Sequence, residues 1–434
     1  MKILYIAPFQ HPTLGGSTRC YHFTRELAQR HSITFLSLAR TEIPPQVLTD
    51  VASYTEKLLA VSLYGARFAG DRFVSGLPLV GSRIEGTLRR RRAVRQMRDM
   101  FRDLLKREAY DVVVFHARDV FAVVDGWNDG PLVADVCDAT CWRLRQGLRY
   151  APLTELPWRT LRYLEVRRID RKILRQTPHQ IYISRRDRDA TPGFAPRSRV
   201  VPNGIDLAYW TRRTDGPDMN TIVFTGVMSY QPNADGVLYL LKKILPRVRR
   251  FVPDLRVLLV GRDPPRALRE AARRCPNVRM TGYVDDVRPY LEEAAVFVAP
   301  LRYASGMQNK VLEALAMKVP VVTTPRVAAG LQVEGGELPL LVADGEEKFA
   351  EHILYLLRNE TARHQLAQEG RQFVETHFDW SRSAGMLEEI CLEAAGLQPA
   401  RQQTVEEARP AASRSTARDS WIGKHGAESS VADG

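Results

Sequence analysis

The chain has 434 residues, which is long for one compact core and suits two domains with a tail. Its 44% hydrophobic content is that of an ordinary globular protein, and no run of 18 or more apolar residues is present to span a bilayer. The formal charge of +13 permits anionic partners, but no helix-turn-helix, RNA-recognition or zinc-finger pattern accompanies it, so nucleic acid is set aside.

The chain opens on Lys2-Ile3-Leu4-Tyr5-Ile6-Ala7-Pro8, an apolar run too short for a signal peptide, which reads as a buried strand. Behind it lies the adjacent pair Gly15 and Gly16, just ahead of a helix expected over residues 19–30. Glycines there let the backbone approach a phosphate, and the helix N-terminus attracts negative charge. Further apolar runs at 33–38, 112–115, 132–136 and 180–184 alternate with helical spacing, the pattern of a parallel sheet covered on both faces. His116 follows the 112–115 strand, with Arg118 and Asp119 close behind. Asp135 and Asp138 end the next, either facing a ligand or capping a helix, and Ser184 ends the last. Two helices expected at 88–106 and 161–174 are rich in arginine, as a solvated basic face or as a contact for anionic lipid headgroups.

Val201-Pro202-Asn203-Gly204 breaks the chain into a turn, which places a first domain over 1–198 and a second over 204–379. The second repeats the plan of the first. Strands are expected at 221–225 (closed by Gly226), 256–260, 278–281, 295–299 and 319–323. Helices are expected at 235–251, 267–274, 287–294, 310–317, 349–357 and 360–376. From residue 398 the composition turns to Ala, Arg, Ser, Glu and Gly, and a disordered tail is expected.

Five cysteines (Cys20, Cys137, Cys141, Cys275 and Cys391) are odd in number and scattered, which argues for reduced thiols in a cytoplasm rather than a disulfide framework. Cys137 and Cys141 lack a second pair to complete a zinc set.

The most informative stretch is Ala299-Pro300-Leu301-Arg302-Tyr303-Ala304-Ser305-Gly306-Met307-Gln308-Asn309-Lys310, leading into Glu313. A strand ends, a glycine-bearing loop follows and a helix begins, so free backbone N–H groups are offered to a diphosphate. Glu313, one turn into the helix, suits a vicinal diol such as ribose. No G-x-G-x-x-G fingerprint is present, which counts against a nicotinamide or flavin dehydrogenase.

This stretch, with the 201–206 turn and the Gly226 strand end, resembles glycosyltransferase family 4, over about residues 1–395 and most specifically over 221–330. Within that family the chain is most similar to bacterial sugar transferases of exosortase and exopolysaccharide systems. The resemblance implies an α/β GT-B fold: two Rossmann-like doubly wound domains facing a cleft, with a helix near 380–397 crossing back to the first. It also implies a retaining transfer from a nucleotide-sugar to a glycan or lipid-linked acceptor, with no metal or other cofactor. Of the family's two Glu eight positions apart, Glu313 matches the second and Ser305 stands in place of the first. The usual basic pair after the first strand of the second domain is replaced by Val227, Met228 and Ser229, with Arg302, Asn309 and Lys310 as compensating groups.

Gly15, Gly16, Gly226, Ser305, Gly306, Met307, Gln308, Asn309 and Glu313 are thus the expected donor site, and His116, Arg302 and Lys310 the expected catalytic groups. Asp119, Asp135, Asp138 and Ser184 are expected toward the acceptor. Front-face displacement is expected, the leaving phosphate helping to deprotonate the acceptor. Alternative readings are a nucleotide-sugar 2-epimerase of the same fold and an inactive sugar-nucleotide-binding protein. Arg89, Arg90, Arg91, Arg92 and Arg95 on one helix are expected to dock the first domain peripherally on the inner leaflet.

Overall fold

The first seven strands form one parallel sheet. They are β1 (Lys2–Pro8), β2 (Ser32–Ala39), β3 (Lys57–Ser62), β4 (Val112–His116), β5 (Leu132–Cys137), β6 (His179–Tyr182) and β7 (Arg197–Val200), in the order β3-β2-β1-β4-β5-β6-β7. Six more form a second: β8 (Asp218–Thr225), β9 (Arg256–Val260), β10 (Val278–Gly282), β11 (Ala294–Ala299), β12 (Val321–Thr323) and β13 (Leu341–Val342), in the order β10-β9-β8-β11-β12-β13. This computed structural model describes the backbone of residues 1–14, 17–63, 81–191, 193–214, 216–333 and 336–398, with side chains for all of these except 81–85. The expectations placed on Gly15, Gly16 and the tail beyond 398 lie outside the described residues. Among those described, no helix is long and apolar enough to cross a membrane.

Both sheets reverse direction at their first strand. β1 lies between β2 and β4, and β8 between β9 and β11. A doubly wound sheet opens a crevice at such a point, outside the carboxyl ends of its strands. The central strands read as unbroken apolar runs because helices cover both faces. β1 is buried from Ile3 to Pro8 and β11 throughout.

The edge strands β3 and β7 lack that signature, and the sequence reading misses them, whereas the edge strand β10 was expected at 278–281. β3 exposes alternate side chains, and β7 (Arg197-Ser198-Arg199-Val200) buries only Ser198. β7 pairs with β6, so the first sheet runs to Val200. The helix expected at 235–251 begins at Gln231 and is broken by a π turn over Leu240–Ile244. Pro246 follows at once and lacks the N–H that a regular turn would need.

The last helix, Trp380–Ala395, is capped by the Asp379 carboxylate, which accepts from Arg382 N at 2.8 Å. It crosses back to the first sheet, where Trp380, Ala384, Leu387, Ile390 and Cys391 join Phe23 and Leu27 in one core. Each large side chain buried there contributes about 1.5–3 kcal/mol. Gly204 makes this seat possible, since a Cβ on it would stand 2.4 Å from the Trp380 backbone nitrogen.

Candidate functional site

On the first sheet, β4 ends at His116 and β5 carries Asp135. The residue after His116 and the last residue of β5 take a positive-φ, left-handed backbone: Ala117 at φ 70° and Cys137 at φ 67°. Non-glycine residues rarely adopt this conformation, and the strain re-aims the chain at both strand ends. Asp135 is fully buried. It receives Arg19 Nε at 2.7 Å and Nη2 at 3.2 Å, and lies 2.8 Å from His116 Nδ1. Burial works against its charge, but Arg19 and His116 outweigh it and hold the carboxyl well below the usual range. Arg19 is itself fully buried, with its third contact to Asn203 Oδ1 at 2.9 Å. Asn203 in turn donates to Asn309 Oδ1 at 2.9 Å. One polar chain, buried from His116 to Asn203, therefore runs to the half-buried first residue of the Asn309–Ala316 helix.

On the second sheet, Lys310 lies over the end of β8. Its Nζ donates to Asn233 Oδ1 at 2.6 Å and sits 4.3 Å from the Phe224 ring centroid. Gly226 is at φ 147°, and a Cβ there would fall 2.6 Å from that nitrogen, so only glycine leaves the strand end open. Glu313 stands one turn beyond Lys310. Burial pulls Lys310 down to about 7 against the opposing charge of Glu313, and lifts Glu313 to about 7 against that of Lys310. Arg302 is committed elsewhere. It forms a bidentate pair with Asp235 and lies 4.4 Å from the Tyr150 ring centroid.

The two strand-end regions meet at the 303–308 loop. Ser305 Oγ donates to Asp138 Oδ2 at 2.5 Å and accepts from Arg143 Nε at 3.0 Å. Asp187 accepts from Gly306 N at 2.9 Å, and Arg186 donates to Gly306 O at 2.9 Å. Asp138 is half-buried; desolvation works against its charge, yet Arg118 and Arg143 hold its carboxyl below the ordinary range. Gln308 donates to Ser305 O at 3.0 Å and Met307 packs into the second core. Tyr303 stacks on Tyr150 with ring centroids 5.4 Å apart.

The expected residues are therefore brought together unequally. His116, Asp135, Asp138, Gly226, Ser305, Gly306, Asn309, Lys310 and Glu313 line facing strand ends or the network between them. Asp119 is occupied by Arg40 and Arg90. Ser184 caps the Arg185–Asp189 helix, accepting from Asp187 N at 3.1 Å. Arg19, Arg143, Arg186, Asp187, Asn203 and Asn233 were missed. Asn203 had a signal, being a turn asparagine between the domains. Arg19 was visible only as a helix-start arginine.

Two Rossmann-type sheets with facing crevices, joined by a hinge and a returning helix, define the GT-B class. A crystal structure of Anabaena HepE in complex with UDP and glucose shares this fold with a TM-score of 0.60 at 14% identity, over 90% of this chain and 98% of that one. Residues 219–359 match the family described as glycosyl transferases group 1, so this part of the chain is a glycosyltransferase domain. A phosphatidyl-myo-inositol mannosyltransferase of Mycobacterium tuberculosis is 28% identical over 208 residues, which are 45% of this chain and 54% of that protein. The capsular polysaccharide biosynthesis glycosyltransferase CapM of Staphylococcus aureus is 32% identical over 126 residues, 28% of this chain and 33% of CapM. The chain thus spans about half the length of the first relative and a third of the second.

Proposed function

We propose that the chain is a retaining glycosyltransferase that moves a sugar from a nucleoside-diphosphate-sugar to a glycan or lipid-linked acceptor in cell-surface polysaccharide synthesis. The observation that carries this is the Lys310–Glu313 pair at the start of the 309–316 helix, over the open strand end at Gly226. Lys310 and the helix N-terminus meet the diphosphate. Glu313 accepts from the ribose hydroxyls. Met307, Gln308 and the Gly306 backbone shape the loop around the donor, while the charge of Arg302 is balanced by its pair with Asp235.

His116 faces the transfer from the first sheet. Asp135, kept ionised by Arg19, accepts from its Nδ1–H and so fixes the orientation of the ring. Asp135 and Asp138 are both neutralised by arginines, which suits neither to covalent attack. Charge instead builds on the leaving phosphate, where Lys310 is placed to stabilise it, and that phosphate takes the acceptor proton. The names of the mannosyltransferase and CapM support a surface-glycan acceptor. Kinship with the exosortase-associated transferases belongs to the same proposal.

Glu313→Gln tests the donor site. It should weaken nucleoside-diphosphate binding by about 1.5–3 kcal/mol, the worth of charge-assisted hydrogen bonds. Calorimetry over a panel of nucleoside diphosphates, showing unchanged affinity in a folded variant, would remove Glu313 from the site. Transfer should also continue in EDTA, because the diphosphate charge is met here by Lys310 and backbone N–H groups. Loss of turnover in chelator, with recovery on adding magnesium or manganese, would assign that task to a metal.

A further inference from the structure

The segment that leaves the cleft carries an outward face unlike that of a solvated helix. Tyr150 touches the donor loop, stacked on Tyr303. Three residues later Leu153 is 87% exposed. The Leu156–Gln176 helix follows, with Trp158 59%, Leu161 57% and Leu164 50% exposed. Its opposite face is used normally, burying Val166, Asp170 and Ile173. Three residues of chain span at most about 11 Å, so the apolar face begins beside the donor loop.

Cations continue that face. Leu161 and Arg168 are seven residues apart, as are Leu164 and Arg171, so each arginine lies two turns along the same side. Both are exposed. The acidic side chains at this surface, Glu155 and Glu165, are ion-paired with Arg159 and Arg162. Arg90 of the Gly81–Arg107 helix lies within electrostatic reach of Arg162 and Glu165, which brings the second arginine-rich helix alongside. On that helix the expected basic face is partly drawn inward. Arg90 pairs with Asp119, and Arg98 donates to Ala122 O.

We propose that Leu153, Trp158, Leu161 and Leu164, with Arg168 and Arg171, form a surface that seats on an anionic lipid layer. Leucines enter the acyl boundary, the tryptophan lies at headgroup depth and the arginines meet lipid phosphates. Charge complementarity favours lipid over an apolar protein partner, since the apolar side chains are bordered by net positive charge. The seat holds the cleft mouth at the headgroup layer, where a lipid-borne acceptor presents its sugar. That consequence rests on the proposed transfer, but the docking does not.

The test is flotation of the full chain with mixed phosphatidylglycerol and phosphatidylcholine vesicles against phosphatidylcholine alone, at low and raised salt. Binding is expected to the anionic vesicles and to weaken with salt. The triple variant Leu153→Ser, Leu161→Ser, Leu164→Ser should bind at least about tenfold less. Its melting temperature should hold, since all three side chains are exposed. Arg168→Gln with Arg171→Gln should bind less and lose part of the salt dependence. The proposal is overturned if neither vesicle is bound, or if the triple variant binds as the parent does. It is also overturned if only replacement of Arg89, Arg91, Arg92 and Arg95 releases the protein. Self-association abolished by the triple variant with vesicle binding intact would make the face a contact between two copies instead. None of these readouts needs a donor, so failure here is distinct from failure of the transferase reading.

Discussion

Arg19→Met should cost the fold about 3–5 kcal/mol, the range for removing one partner of a buried ion pair. Both members here are fully buried, and Arg19 supplies two of the three side-chain contacts that Asp135 receives. Without the guanidinium, Asp135 is left with His116 alone. Its carboxyl, now held low, must rise. The sign follows from that shift. In the parent the depressed carboxyl stabilises the fold above the unfolded carboxylate range, and that stability is lost as pH falls. In the variant the carboxyl is raised, so the deficit is greatest at neutral pH and shrinks toward acid. Urea denaturation at neutral and mildly acidic pH reads both effects. Asp135→Asn added to Arg19→Met should recover a large part of the loss, because the stranded charge is gone. A single variant as stable as the parent, or a double no better than the single, would show that the pair does not hold the first sheet to the hinge.

The central strands were legible because both their faces are covered, which leaves an apolar run that few other structures produce. β3, β7 and β13 were not, because β3 and β7 each bury a single side chain fully and β13 is two residues long, although the edge strand β10 was read. The same physics divides the site. Glu313 could be singled out because a charge inside an apolar helix calls for a partner, and Lys310 because of the specific loop that precedes it. Their mutual pull on each other's proton was not readable, since it depends on how far the cleft removes them from water. Asp135 sits in Val133-Ala134-Asp135-Val136, a charge inside a buried strand, and that position alone calls for a buried cation. The identity of the cation was hidden, as Arg19 is 116 residues away. Asp138 and Ser305 are 167 residues apart and become neighbours only when the two sheets face each other.

Nucleoside-diphosphate affinity should peak near neutral pH, and Lys310→Met should remove the alkaline side of that peak. In the free protein burial brings Lys310 and Glu313 each to about 7. The diphosphate needs the ammonium, and the ribose needs the carboxylate. Above pH 7 an incoming diphosphate must first restore the Lys310 proton, so affinity falls by up to about tenfold per pH unit. Below pH 7 Glu313 is protonated in the free site and affinity falls again. Because the two groups interact, the limbs belong to the pair rather than to either residue. Lys310→Met leaves no proton to restore, so its affinity is low throughout but flat on the alkaline side. Its acid limb moves upward, since Glu313 loses the charge that held its carboxyl down. Stability should move the other way. A lysine whose proton is loosened by burial destabilises the fold most below its folded value, and this penalty fades as pH rises toward 10.5. The variant should therefore melt higher than the parent in the absence of ligand, by about 2–4 °C for each kcal/mol relieved, most clearly at pH 6 to 7. Addition of a nucleoside diphosphate should reverse the order by stabilising only the parent. Calorimetric titrations across that range and on both sides of it, paired with thermal melts, read all of these effects. An alkaline limb of unchanged slope in Lys310→Met would place the titrating group elsewhere. A variant that melts lower than the parent would mean that the contacts of Lys310 with Asn233 and Phe224 outweigh the cost of burying its charge.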